Sequence, residues 1–153
     1  MNRVGILAAI LGVTCLVALP GSAQNFNRNP AFGTHDLAAG FEPDPYRIDV
    51  RAGGSRDAST LGSACSGSIA DAPDVRINYR AGDFPLSFTV RSRVDTTLVV
   101  NDPNGRWYCD DDSAGDLDPM LRFEKPLSGQ YDVWIGHFDG GSGRPAQLIV
   151  TEY

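Results

Sequence analysis

The feature that most limits the fold of this chain is a set of short stretches in which apolar and polar residues alternate. Tyr46, Ile48 and Val50 alternate with charged residues, and the same period of two returns at 75–79 and 131–135. Turn-forming residues separate such stretches, and no stretch keeps a helical period. The pattern predicts an all-β protein, an antiparallel β-sandwich or jelly roll of about eight strands. Nothing in the sequence favours a closed barrel.

The first 23 residues have the organisation of a secretory signal peptide. Arg3 precedes an apolar run at 5–19, and the small residues 21–23 offer a cleavage site before Gln24. The run is shorter than the ~20 residues that a membrane-spanning helix needs. We therefore expect residues 1–23 to be removed on export and the mature protein to have no inserted segment.

The rest of the chain suits a single domain. Residues 24–44 are polar, are interrupted by glycine and proline, and keep neither a helical nor a strand period. They predict a flexible arm that docks loosely, with Phe41 pinning its end. Residues 45–153 hold the alternating stretches and predict the sandwich domain.

The charge of the chain limits its partners. It has 19 acidic and 13 basic residues, and 16 of the acidic ones are aspartate. Nucleic acids and anionic lipids bind basic surfaces, so we expect neither as a partner. Aspartate is typical of turns and of compact sites with oxygen ligands, which agrees with a protein of short strands and loops.

Two cysteines remain after removal of the signal peptide, Cys65 and Cys109. An even pair in an exported protein predicts one disulfide and a periplasmic or secreted location. The alternative, a metal held by two thiolates, lacks the CxxC spacing of such sites.

The most acidic part of the chain lies at 95–118. Asp95 begins it, and Asp110, Asp111, Asp112 and Asp118 follow a Pro-Asn-Gly turn. Carboxylates this close repel one another, and a hard cation would reverse that repulsion. Calcium accepts six to eight oxygen ligands in irregular loops, so these five residues predict a calcium site. The alternative is a solvated surface loop.

Aromatic residues near the acidic stretch are candidate ligand contacts. Alternation directs Tyr131 into the core and Trp134 outward, and Trp107 precedes the acidic run. Exposed rings of this kind stack on sugars or peptides. The alternative is that they cover the edge of the sandwich.

No catalytic apparatus is visible in the sequence. It has no glycine-flanked nucleophile, and His35 and His137 are predicted to be surface residues. Paired carboxylates could in principle hydrolyse a glycoside, but no signal singles out an acid and a base. We therefore predict that the protein is not an enzyme, with a small secreted hydrolase as the alternative.

Residues 95–136 resemble the bacterial pre-peptidase C-terminal domain family, the β-sandwich modules of secreted peptidases that also occur as stand-alone exported proteins. The resemblance rests on four motifs: DTTL at 95–98, PNG at 103–105, CDDDS at 109–113 and SGQYDVWIG at 128–136.

The resemblance implies a non-catalytic module, in some relatives stabilised by calcium and in some binding an extracellular polymer. It assigns Asp95, Asp111 and Asp112 to the cation. The sequence as a whole predicts an exported, calcium-stabilised module that binds a protein or an envelope polymer, whether polysaccharide or peptide. The alternative is an ion-free structural or interaction protein of the periplasm.

Overall fold

The computed structural model describes residues 25–153, which form eleven strands and one short 3-10 helix, Ala58–Leu61. The predicted signal peptide, 1–23, lies outside the described residues. Among residues 25–153, no helix has the length and hydrophobicity needed to cross a membrane. The strands are β1 (Thr34–Ala38), β2 (Tyr46–Gly54), β3 (Arg56–Asp57), β4 (Ser68–Ile69), β5 (Val75–Arg80), β6 (Leu86–Ser92), β7 (Thr96–Asn101), β8 (Trp107–Asp110), β9 (Met120–Phe123), β10 (Gly129–His137) and β11 (Gly141–Thr151).

The strands form two sheets with a shared core. In the seven-stranded sheet, β1, β5, β10, β7 and β8 lie side by side, and β4 and β3 continue from the end of β10. The four-stranded sheet has the order β2, β11, β6, β9. All pairs are antiparallel except β1 with β5, which is parallel. The predicted all-β sandwich is confirmed, with three more strands than the predicted eight: β3 and β4 are too short to show alternation, and β1 lies in the segment predicted as an arm.

The main core lies between the sheets and consists of the apolar half of each alternating strand. Ile77 and Val133 come from the seven-stranded sheet, Val90 and Leu148 come from the four-stranded sheet, and all four are fully buried. Tyr131 also faces this core, as its position in the alternation predicts. The period of two therefore identifies the inward faces correctly.

A second, smaller apolar cluster lies on the opposite face of the seven-stranded sheet. Residues 55–70, which contain β3, the 3-10 helix and β4, fold over this face and pack Ile69 against Val99 and Trp134. A side chain at Gly136 would bring its Cβ within 2.9 Å of Ile69 Cγ2, so only glycine allows this close approach. We call residues 55–70 the disulfide segment, for the bond described below.

The segment predicted as a loosely docked arm, 24–44, contains a strand, and the prediction of loose docking is wrong there. β1 pairs with β5 along its whole length, and Phe41 is buried in the main core. The guanidinium of Arg76 donates to the carbonyl oxygen of Phe26 at 2.6 Å. Docking through backbone hydrogen bonds leaves no apolar period in the sequence, which is why alternation does not reveal it.

The two ends of the sandwich carry different connections. At one end, residues 111–119 link β8 to β9, and the β10–β11 turn lies beside the start of β7. At the opposite end lie the β1–β2 connection, 39–45, and the β5–β6 connection, 81–85.

Candidate functional site

Asp110 closes the acidic loop on itself. Its Oδ2 accepts hydrogen bonds from the backbone N–H of Ser113 at 3.0 Å and of Met120 at 2.8 Å, and its Oδ1 accepts from the Ser113 hydroxyl. A carboxylate held by three protein donors is a structural group of the turn. Asp110 was predicted as a calcium ligand, and its oxygens are engaged by these donors instead.

Asp118 pairs with an arginine on the four-stranded sheet. Oδ2 of its buried carboxylate lies 2.5 Å from Arg91 Nη1, and Oδ1 accepts from the Ser92 backbone N–H at 3.3 Å. The pair fixes the end of the acidic loop to β6. Asp118, also predicted as a calcium ligand, therefore contacts a cationic side chain.

The remaining predicted ligands, Asp95, Asp111 and Asp112, do approach one another. Burial raises the pKa of Asp95, and the nearby negative charges of Asp112, Asp139 and Asp111 raise it further. Asp95 Oδ1 is buried without a hydrogen-bond donor, whereas Asp111 Oδ2 accepts from the Ser66 hydroxyl at 3.1 Å. Among the described residues, no Lys or Arg forms an ion pair with these carboxylates.

An exposed aromatic ring lies beside these carboxylates. Phe138 is 44% exposed in the β10–β11 turn, and its backbone N–H donates to the carbonyl oxygen of Asp95 at 3.1 Å. Exposed aromatic residues are enriched in protein-binding surfaces. We call this surface the acidic end and define it by Asp95, Asp111, Asp112, Asp139 and Phe138.

The acidic end does not form a closed metal centre. Within residues 25–153, no three or more His, Cys, Asp or Glu side chains are arranged to hold a metal ion. A calcium ion needs six to eight oxygens, and two of the five predicted ligands, Asp110 and Asp118, are engaged elsewhere. Calcium binding stays a prediction.

The prediction that Trp134 contacts a ligand is corrected by its burial. Trp134 does point away from the main core, but it is fully buried in the second cluster under the disulfide segment. Trp107 is half-buried against it, with the ring centroids 5.2 Å apart. The alternation predicts the direction of Trp134 correctly, but a period cannot show that another segment covers that face.

Cys65 and Cys109 form the predicted disulfide, with their Cα atoms 5.0 Å apart. The bond joins the disulfide segment to β8, next to the two tryptophans. A disulfide is typical of proteins from oxidising compartments.

Both histidines have internal partners, so the prediction of surface histidines is wrong. His137 is buried, and its Nδ1 contacts the carbonyl oxygen of Gly140. His35 is half-buried, and its ring nitrogens lie 3.1 Å from the Tyr46 hydroxyl and 3.1 Å from the Phe32 carbonyl oxygen. These contacts hold the two rings in place on β1 and β10.

Sequence reasoning missed Asp139 and Phe138 as members of the acidic end. The register of β7 on β10 places Thr96 opposite His137, which brings the β10–β11 turn to Asp95. Pairing of this kind joins residues more than 40 positions apart, and alternation does not specify it. An aromatic residue followed by aspartate and two glycines is the signal that could have attracted attention.

No family model matches this chain, and no curated protein matches it. One similar solved structure is Aeromonas hydrophila PliG, described as a periplasmic lysozyme inhibitor of g-type lysozyme. It is 11% identical, the match covers 77% of this chain and 96% of that chain, and the TM-score is 0.39. A similarity this low carries no argument about function, and the resemblance to the pre-peptidase C-terminal domain family stays a prediction.

Proposed function

We propose that this protein is an exported, non-catalytic module that binds a protein partner through its acidic end. The observation that carries the proposal is the grouping of four carboxylates near the exposed residue Phe138, whose backbone N–H donates to Asp95. Export is supported by the disulfide, and a non-catalytic role is supported by the internal partners of both histidines.

The charge of the acidic end favours a basic partner. Asp112 and Asp139 are exposed, and their charges, with that of Asp111, add to the effect of burial in raising the pKa of Asp95, which supports electrostatic coupling among the four carboxylates. A Lys or Arg from a partner would relieve that repulsion and add charge-assisted hydrogen bonds. Phe138 would supply the apolar contact that charged groups alone do not provide.

The scaffold holds this surface in one arrangement. Asp95 and Phe138 adjoin the paired strands β7 and β10, Asp111 is tied to Ser66 in the disulfide segment, and the loop is closed at Asp110. A surface that is already ordered loses less conformational entropy on binding.

A binding assay with matched variants tests the proposal. The wild type, an Asp112→Asn/Asp139→Asn/Phe138→Ala variant and an Asp116→Asn control are immobilised and exposed to exported proteins at low and high salt. Purified basic proteins, a g-type lysozyme among them, are measured in the same format. Asp116 is a suitable control because it is an exposed aspartate of the same loop outside the acidic end.

We expect a basic protein to bind the wild type and the control, more weakly at high salt, and to lose at least ~10-fold in affinity on the triple variant. Equal binding to all three proteins would overturn the proposal. Retention of a polysaccharide by the wild type, with no protein bound, would overturn the choice of partner.

Calcium binding is a second proposal, supported by the unpartnered oxygen of Asp95 and the repulsion around it. We propose that calcium stabilises the acidic end without a closed coordination shell. Titration to millimolar calcium is expected to raise the melting temperature of the wild type but not that of Asp95→Asn/Asp112→Asn. An unchanged melting temperature of the wild type, or an equal rise in both proteins, would exclude this role and leave an ion-free interaction protein.

A further inference from the structure

A cavity of about 290 Å³ lies at the opposite end of the sandwich, away from the acidic end. It forms where the β1–β2 connection, 39–45, meets the β5–β6 connection, 81–85, and the end of β11. Its lining combines three acidic and three aromatic residues, namely Glu42, Asp44, Glu152, Phe41, Phe84 and Tyr153.

Two of the acidic groups belong to a hydrogen-bonded network. The Glu152 carboxylate accepts from the Tyr79 hydroxyl at 2.6 Å and from the Gly40 N–H at 2.8 Å. Asp44 Oδ2 accepts from the Glu152 N–H at 3.1 Å, and Asp44 Oδ1 is buried without a donor. Burial raises the pKa of Tyr79, and the charges of Glu152 and Asp44 raise it further, so the potential in this region is negative.

Among the described residues, no basic side chain forms an ion pair with these acidic groups, although the guanidinium of Arg122 donates to the carbonyl oxygen of Tyr153 at 2.8 Å. Within residues 25–153, none of the ion pairs involves Glu42, Asp44 or Glu152, and the lining of the cavity contains no Lys or Arg. Charges that are partly removed from water and left unpaired are costly. Asp44 Oδ1, which is buried without a donor, and the exposed carboxylate of Glu42 are therefore available to a positive group.

The aromatic residues restrict what kind of positive group fits. Phe84 is 51% exposed and Tyr153 is 83% exposed, while Phe41 is buried beneath them. Ring faces attract cations that carry little water, and alkyl groups pack on them as well.

A metal ion fits this lining poorly. Both Glu152 oxygens already accept protein hydrogen bonds, and the aromatic rings supply no oxygen ligand. An ammonium group on a carbon chain needs fewer polar contacts and uses the rings. We propose that this cavity binds an alkylammonium group, supplied either by a lysine side chain of a peptide or by a small quaternary ammonium compound.

Nuclear magnetic resonance titration of the ¹⁵N-labelled protein tests the proposal. The probes are butylammonium for the lysine side chain, choline for the quaternary ammonium, and sodium and calcium chloride at matched ionic strength. We expect saturable shifts of the backbone amides of Gly40, Phe41 and Phe84 with at least one organic cation and not with either salt. The tighter of the two organic cations identifies the source of the group.

Substitutions in the cavity distinguish the contribution of charge to the affinity from that of aromatic packing. Asp44→Asn keeps an acceptor for the Glu152 N–H but loses the charge, and it is expected to weaken binding about 10-fold. Phe84→Ala removes an exposed ring whose loss should not impair folding, and it is expected to weaken binding about 5-fold. Asp83→Asn is the matched control, because Asp83 is an exposed neighbour of Phe84 outside the cavity lining, and binding should stay within about 2-fold.

Three results would each overturn the proposal: shifts that do not saturate, equal shifts with sodium, or unchanged affinity in both Asp44→Asn and Phe84→Ala. The cavity and the acidic end lie at opposite ends of β11 and share no residue. Asp112→Asn/Asp139→Asn/Phe138→Ala should therefore bind the organic cation normally, so failure of one proposal is distinguishable from failure of the other.

Discussion

Two segments pack against the seven-stranded sheet from outside the main core, and they are held by different chemistry. The disulfide segment, 55–70, is held by apolar contacts and by the bond between Cys65 and Cys109. The N-terminal segment, 25–33, is held mainly by hydrogen bonds to β5 and to the residues just before it and by the guanidinium of Arg76, with Phe32 as its apolar contact to the main core.

The contrast is clearest on β10, where Trp134 and Asp132 point to the same outward face. Trp134 is fully buried by the disulfide segment. Asp132 is 2% exposed and is buried by polar partners, since it pairs with Arg76 at 2.7 Å and accepts from Gln130. One face of one strand is thus covered by two mechanisms, one of which depends on apolar contact and a covalent bond and the other on charge.

The largest expected effect comes from removing the apolar contact of the disulfide segment. Trp134→Ala should destabilise the protein by about 4–5 kcal/mol, because the ring is fully buried and its loss leaves a cavity. Trp107→Ala is the matched control and should cost about half as much, since Trp107 is half-buried. Urea unfolding of both variants measures the difference, and equal losses would show that the disulfide segment does not seal Trp134.

Removing the covalent bond should have the next largest effect. The bond closes a loop with a sequence separation of 44 residues, and Cys65→Ser/Cys109→Ser should lower the free energy of unfolding by about 4 kcal/mol. In this variant, amide hydrogen exchange should speed up more in residues 55–70 than in residues 25–33. Simultaneous loss of protection in both segments would mean that they form one cooperative unit and are not held independently.

The sequence predicts the parts of the molecule that depend on local pattern. Alternation identifies the inward faces at Tyr131 and at the neighbouring strands, and the count of cysteines predicts the bond between Cys65 and Cys109. It does not predict that the outward face at Trp134 is covered, because the disulfide segment has no period of its own. Nor does it predict β1, which docks through its backbone.

The acidic loop shows the same limit. Five adjacent or nearby aspartates look equivalent in the sequence, yet Asp110 is held by the turn and Asp118 by Arg91, whereas Asp111 and Asp112 remain at the surface. The difference depends on which donors the register brings close. Composition predicts the total charge of such a loop but not which carboxylates are already engaged.

Breaking the ion pair under the N-terminal segment should have an intermediate effect. Arg76→Ala should cost about 3 kcal/mol, because it leaves the carboxylate of Asp132 buried without its cationic partner. It also removes the donor to Phe26, so hydrogen exchange should speed up in 25–33 and stay slow in 55–70. Arg28→Ala, which removes an exposed ion pair with Asp71, is the control and should cost less than ~1 kcal/mol.

The smallest expected effect, and the one that separates the two segments most cleanly, is a dependence on pH. Asp74 lies beneath the N-terminal segment: its carbonyl oxygen accepts from the Phe32 N–H at 2.7 Å, and its carboxylate accepts from the Ile135 N–H at 2.7 Å. Burial raises the pKa of Asp74 to about 7 from a usual value of 3.8, although the Ile135 hydrogen bond opposes this shift.

The raised pKa of Asp74 means that the folded protein binds a proton that the unfolded chain has released, over the range from about pH 4 to pH 7. Stability therefore falls as pH rises through this range, by about 2–3 kcal/mol between pH 5 and pH 8. Asp74→Asn keeps an acceptor for the Ile135 N–H and carries no charge, so most of the dependence of stability on pH should disappear. At pH 8 the variant should have a larger free energy of unfolding than the wild type. Hydrogen exchange at pH 8 should be faster in 25–33 of the wild type than of the variant, whereas protection of 55–70, which depends on the bond between Cys65 and Cys109, should not respond. A slope that persists in Asp74→Asn would assign the pH dependence to Asp95, whose pKa is also raised, and would move the sensitive region to the acidic end.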